Sequence, residues 1–267
     1  MLPESIRAEA DRHPELFMIG QHGPDIYFYY RPWQNNSVNG TGMSMHAHPA
    51  ADFFGPAVQA AQNRKDDRGE RAYLYGFVCH FILDSCVHWY VEDWIRESGV
   101  PHTEIEAEFD RMLMERDGLD PMRHVPVGHI VPSQENAAVI AEFFPEISEE
   151  KVLKSLKDMV RYNHILVCPG KVKRGLVKAG IRVLGLAGTA GGMMINPKPN
   201  PKCDESNERL SQLFDAALPE AVKYLQIFER VLGGEDALPE RFSRTFGPDP
   251  ASKKEYEFFG VSGKKST

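Results

Sequence analysis

Cysteine is scarce in this chain. The 267 residues include only four cysteines, and none of them forms a Cys-x-x-Cys pair. They are too few and too widely spaced to supply a disulfide framework, which small secreted domains need when their core is insufficient. We therefore expect reduced thiols at Cys79, Cys86, Cys168 and Cys203.

Long hydrophobic runs and an N-terminal leader pattern are also missing. The longest nearly uninterrupted apolar runs, at 72–83 and 183–195, are shorter than the roughly 20 residues that a membrane-spanning helix needs. The chain opens with the polar, acidic stretch MLPESIRAEADRHPE, which lacks the basic start and apolar core of a secretory signal. These two absences predict a cytoplasmic protein with no transmembrane segment.

Positive charge is not in excess. There are 31 Lys and Arg residues against 38 Asp and Glu residues, so the net charge is −7. A protein that holds a polyanion over much of its surface usually carries the opposite balance. We therefore expect no stable nucleic-acid partner, while local basic patches remain compatible with the composition.

The patterns that are present predict an all-α protein. Hydrophobic residues make up 42% of the chain, which is enough for a sizeable core, and neither an alternating β pattern nor an internal repeat occurs. We expect one multi-helix bundle domain at 1–247 and a polar, flexible tail at 248–267. Helices are predicted at 4–18, 49–63, 72–98, from Pro101 onward, 133–144, 148–165 and 205–232, with a loop at 34–44 and an extended linker at 196–205.

Segment 170–192 mixes Lys and Arg with Leu, Val and Ile before it ends in a glycine-rich stretch. Two interpretations of this segment stay open. It forms either a basic amphipathic helix that lies transiently on a lipid surface or a helix with an ordinary solvated face.

The helix predicted at 72–98 carries a stripe of ionisable groups. His80, Asp84 and His88 are spaced i, i+4 and i+8, so they lie along one side of a helix that is otherwise apolar on nearly every face. Each histidine taken alone is more simply explained as a core residue. Three such groups are costly to bury together unless they are paired or bind a cation, so the stripe predicts a metal site.

A second pair with the same spacing follows on the next predicted helix. His102 and Glu106 supply the nitrogen and oxygen ligands that Zn²⁺, Mn²⁺ and Fe²⁺ accept. Upstream, Asp25 and one residue of the His46-Ala-His48 pair are further candidates, and His46 is favoured because His48 directly precedes a proline. Together they make enough ligands for two metal ions. His22 is either a residue behind the ligands or an exposed loop histidine, and structural roles are expected for His13, His124, His129 and His164.

Four stretches of the sequence together resemble a known family. They are GQHGPDIYFYYRP, MHAHP, AYLYGFVCHFILDSCVHWYVED and HTEIEAEFD, and they contain in order Pro-Asp, His, His-x3-Asp-x3-His and His-x3-Glu. This order resembles that of the zinc-dependent phospholipase C family, which is related to bacterial phospholipase C, the catalytic domain of glycosylphosphatidylinositol-specific phospholipase D and the P1-type nucleases. The resemblance covers about residues 15–110.

The resemblance implies a role for each matching side chain. Asp25 would be a metal ligand and the general base. His46 and His80 would be ligands of the first zinc. Asp84 would be the carboxylate that bridges to another zinc, and a metal-bound hydroxide would attack phosphorus in line.

The resemblance also implies how many zinc ions bind. His88, His102 and Glu106 would hold the second zinc. A third zinc in the family needs a histidine close to the start of the mature chain, and before Asp25 only His13 is available here. Two zinc ions are therefore expected, and the third stays open.

Three functions are compatible with these residues. The first is a zinc-dependent phosphodiesterase or related phosphoester hydrolase of the phospholipase C type, whose substrate is a lipid, a nucleotide or a small phosphoester. The second is a non-catalytic helical protein in which the metal only stabilises the fold, and the third is a nuclease or phosphatase variant of the same site. A di-iron carboxylate bundle fits poorly because it needs Glu-x-x-His pairs, which the observed spacing does not give.

Overall fold

Helices and connecting loops make up the part of the chain that the computed structural model describes, which is residues 2–64, 68–187 and 190–259. No strand occurs in these ranges, and the one pairing of that kind within them is an isolated antiparallel bridge between Pro49 and Thr245. The predicted all-α multi-helix fold is confirmed. None of the helices described is long and apolar enough to cross a membrane.

The helices follow one another with short connections. In chain order the α-helices are α1 (Glu4–Arg12), α2 (Pro14–Gly20), α3 (Ser37–Ala47), α4 (Ala51–Gln62), α5 (Glu70–Ser98), α6 (His102–Arg116), α7 (Gln134–Ala141), α8 (Glu149–Leu166), α9 (Lys171–Val183), α10 (Asp204–Leu232) and α11 (Pro250–Tyr256). Short 3₁₀ helices lie at Gly23–Tyr29, Pro201–Cys203 and Glu240–Ser243. Six of the predicted helices coincide with α4 to α8 and α10 to within a few residues.

Helix α5 lies at the centre of the hydrophobic core. It begins after Gly69 and ends at Gly99, both of which have a positive φ that favours glycine, and the Gly99 amide donates to the carbonyl of Ile95 at 3.0 Å. Buried residues occur on nearly all of its faces, as expected for a helix that others surround. The most extensive contacts of α5 are with α2 and α10.

The contact between α2 and α5 brings two backbones together. A Cβ atom added at Gly20 would lie 2.2 Å from the carbonyl oxygen of Tyr73, and one added at Gly76 would lie 2.2 Å from the carbonyl oxygen of Phe17. Only glycine fits at these two positions without a shift of one helix against the other. The contact holds the chain that follows α2 against the middle of α5.

The structure differs from the sequence prediction at 34–44, where α3 replaces most of the expected loop. The Asn36 side chain accepts hydrogen bonds from the amides of Val38 and Asn39, and the Asn39 side chain accepts one from the Asn36 amide. This reciprocal capping stabilises a helix whose Asn, Gly and Ser residues have low helix propensity, and that propensity is why the loop prediction was wrong.

The C-terminal segment differs too. Within the tail predicted at 248–267, residues Pro250–Tyr256 form α11, which buries Tyr256 to 4% exposure. The Asp249 side chain caps the helix by accepting from the first free amides. Residues 260–267 of the predicted tail lie outside the described residues.

A buried arginine ties α11 to α5. The Arg241 guanidinium donates to Ser85 Oγ on α5 at 2.9 Å and to Glu255 Oε2 on α11 at 3.1 Å, and it also reaches the Tyr256 hydroxyl at 3.3 Å. Sequence patterns gave no indication of the contact between Arg241 and Ser85, because these residues are 156 positions apart in the chain. It explains why the C-terminal segment is ordered against the core.

Three other predicted segments are modified locally. The helix expected at 4–18 is interrupted at His13. A second helix, α2, begins at Pro14 and ends at Gly20. The linker expected to be extended at 196–205 contains a 3₁₀ turn that leads into α10. The basic segment 170–192 forms α9, and its residues 188–189 lie outside the described part of the chain.

The close contact between α2 and α5 predicts that Gly76→Ala lowers the free energy of unfolding by about 2 kcal/mol or more, because the added methyl group meets backbone atoms that cannot turn away. Equilibrium unfolding in urea measures the change. Gly40→Ala on α3 is the matched control, since this position is exposed and a Cβ there meets nothing within 4 Å. It should leave stability unchanged or raise it by up to about 1 kcal/mol. Equal stabilities of the two variants would show that the helices do not meet at these glycines.

Candidate metal centre

Four elements bring the predicted ligand residues together. Helix α5 supplies His80, Asp84 and His88, each only 8% exposed. The other four come from the 3₁₀ helix Gly23–Tyr29, the last turn of α3 and the first turns of α6, and they are Asp25, His46, His102 and Glu106.

The first group consists of Asp25, His46 and His80. One ligand atom from each residue lies within 4.8 Å of the others, which is a spacing that a single metal ion can span. The His46 Nε2 is 3.2 Å from the Asp25 Oδ1. Three chain segments that are far apart in sequence therefore meet at this point.

The second group consists of His88, His102 and Glu106, and its ligand atoms also lie within 4.8 Å of one another. The Glu106 Oε1 is 2.9 Å from the His102 Nε2 and 3.6 Å from the His88 Nε2. The i, i+4 spacing on α6 brings His102 and Glu106 together, and His88 faces them from α5.

Asp84 lies between the two groups. Its Oδ2 is 3.0 Å from the His80 Nε2 and 3.7 Å from the His46 Nε2, both in the first group, and 3.8 Å from the His88 Nδ1 in the second. The position is the one a carboxylate needs in order to contact ions in both groups.

Backbone carbonyls orient two of the histidine rings. The His46 Nδ1 donates to the carbonyl of Gly42 at 2.8 Å, and the His88 Nδ1 donates to the carbonyl of Phe246 at 2.7 Å. Since a carbonyl only accepts, the proton of each neutral ring lies on Nδ1 and the Nε2 lone pair faces its group. Such a hydrogen bond fixes the tautomer and the ring orientation of many metal-binding histidines.

Three buried atoms of the centre lack a hydrogen-bond partner. They are the Asp25 Oδ1, the His80 Nε2 and the Asp84 Oδ2. The last two are only 3.0 Å apart, yet they do not meet hydrogen-bond geometry. Buried polar atoms are normally paired because leaving one unpaired costs about 1–3 kcal/mol. A divalent cation coordinated by these atoms would remove that cost, so the residues present fit a bound metal.

The titration behaviour of the groups follows from their mutual contacts. Burial alone would lower the pKa of His46, but the adjoining carboxylates of Asp25 and Asp84 outweigh it and raise the pKa to about 11. In the same way the Asp84 and Glu106 carboxylates outweigh burial at His88 and raise its pKa to about 9. The neighbouring histidines hold the pKa of Asp84 well below its usual range, against the effect of burial. Without a metal, protons supply the positive charge that these carboxylates need.

Glycine and aromatic residues shape the wall around the first group. A Cβ atom at Gly23 would lie 2.1 Å from the His80 ring, and the φ of 51° at this residue also favours glycine. The ring of Phe246 packs on His80 with the ring centres 5.9 Å apart. Gly23 is the first residue of the Gly-Pro-Asp motif in the sequence. No sequence signal pointed to Phe246.

The remaining histidines lie outside the two groups. His48 is exposed and its Nδ1 donates to the carbonyl of Ser44, so His46 is the member of the pair that reaches the centre. His13 lies 3.8 Å from Glu9 and joins neither group. His22 is half-buried rather than exposed, and its Nε2 is 2.8 Å from the Nε2 of His129. Within the described residues no third group of ligand type accompanies the two.

A cavity of about 450 Å³ opens beside the centre. Its polar end is formed by His22, Asp25, Asp84, His88 and Glu106. The rest of its wall is mainly apolar and includes the methionines Met114, Met122, Met159 and Met193.

Asp110 also lines this cavity, one helical turn beyond Glu106. The cavity wall keeps water from the Asp110 carboxylate, and this desolvation, together with the negative charge of Glu106, raises the pKa of Asp110 to about 7. The i, i+4, i+8 stripe of His102, Glu106 and Asp110 could have been read from the sequence, and the third member was missed.

Comparison with known proteins agrees with this geometry. A family model described as zinc dependent phospholipase C matches residues 2–156, which are more than half of the chain and include all seven residues of the centre. The match confirms the resemblance to that family seen in the sequence. No curated protein and no solved structure matches the chain significantly.

The two groups predict about two zinc ions per chain, one for each group. His80→Ala should lower the zinc content of the purified protein, because it removes one of the three ligand atoms of the first group. His48→Ala is the control, since it removes an exposed histidine two residues from the ligand His46 and should leave the zinc content unchanged. Metal analysis after dialysis measures both. Less than one zinc per wild-type chain would contradict the assignment.

The raised histidine pKa values predict an opposite pH dependence for the metal-free and the zinc-loaded protein. Without metal, His88 keeps a proton that the unfolded chain releases near pH 6.5, so this stabilisation is complete below about pH 6.5. It is lost as the pH rises through the pKa of about 9. Zinc competes with these protons, so the rise in Tm that zinc produces should grow over the same interval.

Thermal unfolding with zinc and with a chelator, followed across that pH interval, measures the difference in Tm. A zinc-induced rise in Tm that shrinks with increasing pH would show that the histidines do not bind the metal.

Proposed function

The chain belongs to the zinc-dependent phospholipase C family, and we propose that it hydrolyses phosphoesters at a zinc centre formed by the two ligand groups and Asp84. The observation that carries the proposal is the convergence of seven ligand-type side chains, three of which present buried atoms that lack a hydrogen-bond partner. The family match supports a zinc-dependent enzyme, and the cavity beside the centre supports a substrate that enters from outside.

Zinc bound at such a centre lowers the pKa of water to about 7 and offsets the charge that develops on a phosphoryl group. The roles proposed for the two aspartates follow from their different exposure. The Asp84 side chain is 12% exposed and contacts residues of both groups, which suits a bridging ligand. The Asp25 side chain is 40% exposed and lines the cavity, so it can bind metal through the buried Oδ1 and accept a proton from water as the general base.

The cavity favours a substrate with an apolar part. Apart from the centre and Asp110, its wall consists largely of Met, Leu, Val, Ile, Pro and Phe side chains. No Lys or Arg occurs among the described residues that line it, so the phosphate would be neutralised by the metal alone. A polyanion such as nucleic acid normally needs basic residues along its path. We therefore propose a phosphodiester with an apolar substituent, such as a phospholipid, rather than a nucleic acid.

Asp110 provides a further criterion for the substrate. It is the acidic side chain in the apolar part of the wall, and it lies on the same face of α6 as the ligands His102 and Glu106. We propose that it binds a hydrogen-bond donor or a cation on the substrate at a distance of one helical turn from the metal.

The proposal predicts that the zinc-loaded protein hydrolyses bis(p-nitrophenyl) phosphate and phosphatidylcholine in mixed micelles, and single-stranded DNA poorly. Removal of the metal with a chelator should abolish the activity, and zinc should restore it. Asp25→Asn should lower kcat at least about a hundredfold, since it removes the general base.

Asp11→Asn is the control for this substitution, because it makes the same change at an exposed position of α1. It should retain wild-type activity, and zinc analysis of both variants separates loss of the metal from loss of the base. A wild-type protein that binds zinc and hydrolyses none of the three substrates would overturn the proposal in favour of a structural metal.

A further inference from the structure

A long segment of the chain has charge of only one sign. Residues 159–203 contain eight Lys and Arg residues and neither Asp nor Glu. The rest of the chain is left with 23 basic and 38 acidic residues. The protein is therefore strongly acidic over most of its length and basic in this segment, whose centre is helix α9.

Helix α9 presents an apolar stripe to solvent. Val172, Leu176 and Val183 are 79%, 71% and 86% exposed, and with Ala179 they are spaced i, i+4, i+7 and i+11. At about 100° per residue these four positions fall within about 60° of one another around the helix. Large hydrophobic side chains that are exposed together on one face indicate a surface for binding.

The opposite side of α9 faces the protein. Arg174 is buried, and its Nη1 donates to the carbonyl of Ile195 at 2.7 Å. Val177 and Ile181 are half-buried on the same side. These residues lie about 140–200° around the helix from the stripe, so the stripe points directly away from the body of the protein.

Basic side chains flank the stripe. Lys171, Lys178 and Arg182 lie about 80–120° to one side of it, and Lys173 lies about 100° to the other. A helix at a lipid surface has this arrangement, in which an apolar face enters the boundary of the acyl chains and cations at its edges meet the anionic headgroups.

The helix adjoins the cavity beside the metal centre. Leu166, Val167 and Cys168, which precede α9, line that cavity, and so do Met193 and Ile195, which follow it. A partner surface bound to α9 would therefore lie near the part of the cavity wall that these flanking residues form.

We propose that α9 binds an anionic lipid surface, with Val172, Leu176 and Val183 inserted among the lipid chains and the flanking cations at the headgroups. The apolar stripe is what favours lipid over nucleic acid, because a polyanion would bind the cations and leave the aliphatic side chains in water. The cations favour lipid over a second copy of this chain, because two copies of α9 would bring like charges together.

Sedimentation of the zinc-loaded full chain with vesicles tests the proposal. A much larger fraction of the protein should sediment with vesicles of phosphatidylcholine and phosphatidylserine than with vesicles of phosphatidylcholine alone. Leu176→Asp should weaken binding at least about tenfold, because a charge cannot enter the acyl region. Leu218→Asp is the matched control, since Leu218 is 52% exposed on α10 and should tolerate the change.

Charge reversal tests the cations separately. Lys178→Glu combined with Arg182→Glu should abolish the preference for phosphatidylserine, whereas Arg7→Glu on α1, also exposed, should leave it largely intact. Circular dichroism confirms that each variant is folded, and Val183→Asp provides a second test of the stripe.

Binding that Leu176→Asp leaves unchanged would overturn the proposal. Retention on single-stranded DNA without retention on vesicles would assign the surface to nucleic acid instead, and a dimer that Leu176→Asp dissociates would assign it to a second copy. Asp25→Asn, which should slow hydrolysis of the vesicle lipid, should still bind the vesicles through α9. Vesicle binding by this variant is therefore independent of turnover, and the failure of either proposal leaves the other open to its own test.

Discussion

The buried carboxylate of Asp84 is the constraint on which the rest of the centre depends. Its Oδ2 has no hydrogen-bond partner, and histidines on two helices lie within 3.8 Å of it. An ionised carboxylate in the core costs several kcal/mol unless positive charge surrounds it. The histidines can supply that charge only by keeping their protons, as the raised pKa values of His46 and His88 express. Metal ions at the two groups would supply it without the protons, and would leave the histidines as neutral ligands.

The fold holds this arrangement by fixing segments that are distant in sequence. The end of α3 and the chain at 244–247 contact each other, since the Gly247 amide donates to the carbonyl of His46 and the Ala50 amide to that of Arg244. The same C-terminal chain places the Phe246 carbonyl at His88. On the other side, the absence of a side chain at Gly23 allows the His80 ring to lie against the turn that carries Asp25. The histidines are thus oriented by backbone atoms, which move less than side chains do.

Sequence patterns predicted the local part of the site better than the distant part. His80, Asp84 and His88 could be placed on one face because helical periodicity alone fixes their relative positions. Asp25 and His46 were candidates by residue type, but only the family resemblance assigned His46 and His80 to one zinc, since no local pattern relates these segments. Helix α3 was missed because its capping by Asn36 offsets a poor helix propensity. Phe246 and Arg241 were missed because their roles depend on contacts across about 155 residues of chain.

The uneven distribution of charge bears on how the protein would approach a lipid surface. Most of the chain is acidic and would be repelled by anionic headgroups within a Debye length, about 8 Å at physiological ionic strength. Only the segment 159–203 would be attracted, because it carries eight cations and no anion. Attraction at one face and repulsion elsewhere would select one orientation, and in that orientation the segments before and after α9, which line the cavity, would lie near the lipid. The charge pattern would therefore act on orientation first, and the apolar stripe of α9 on the strength of binding once the helix has made contact.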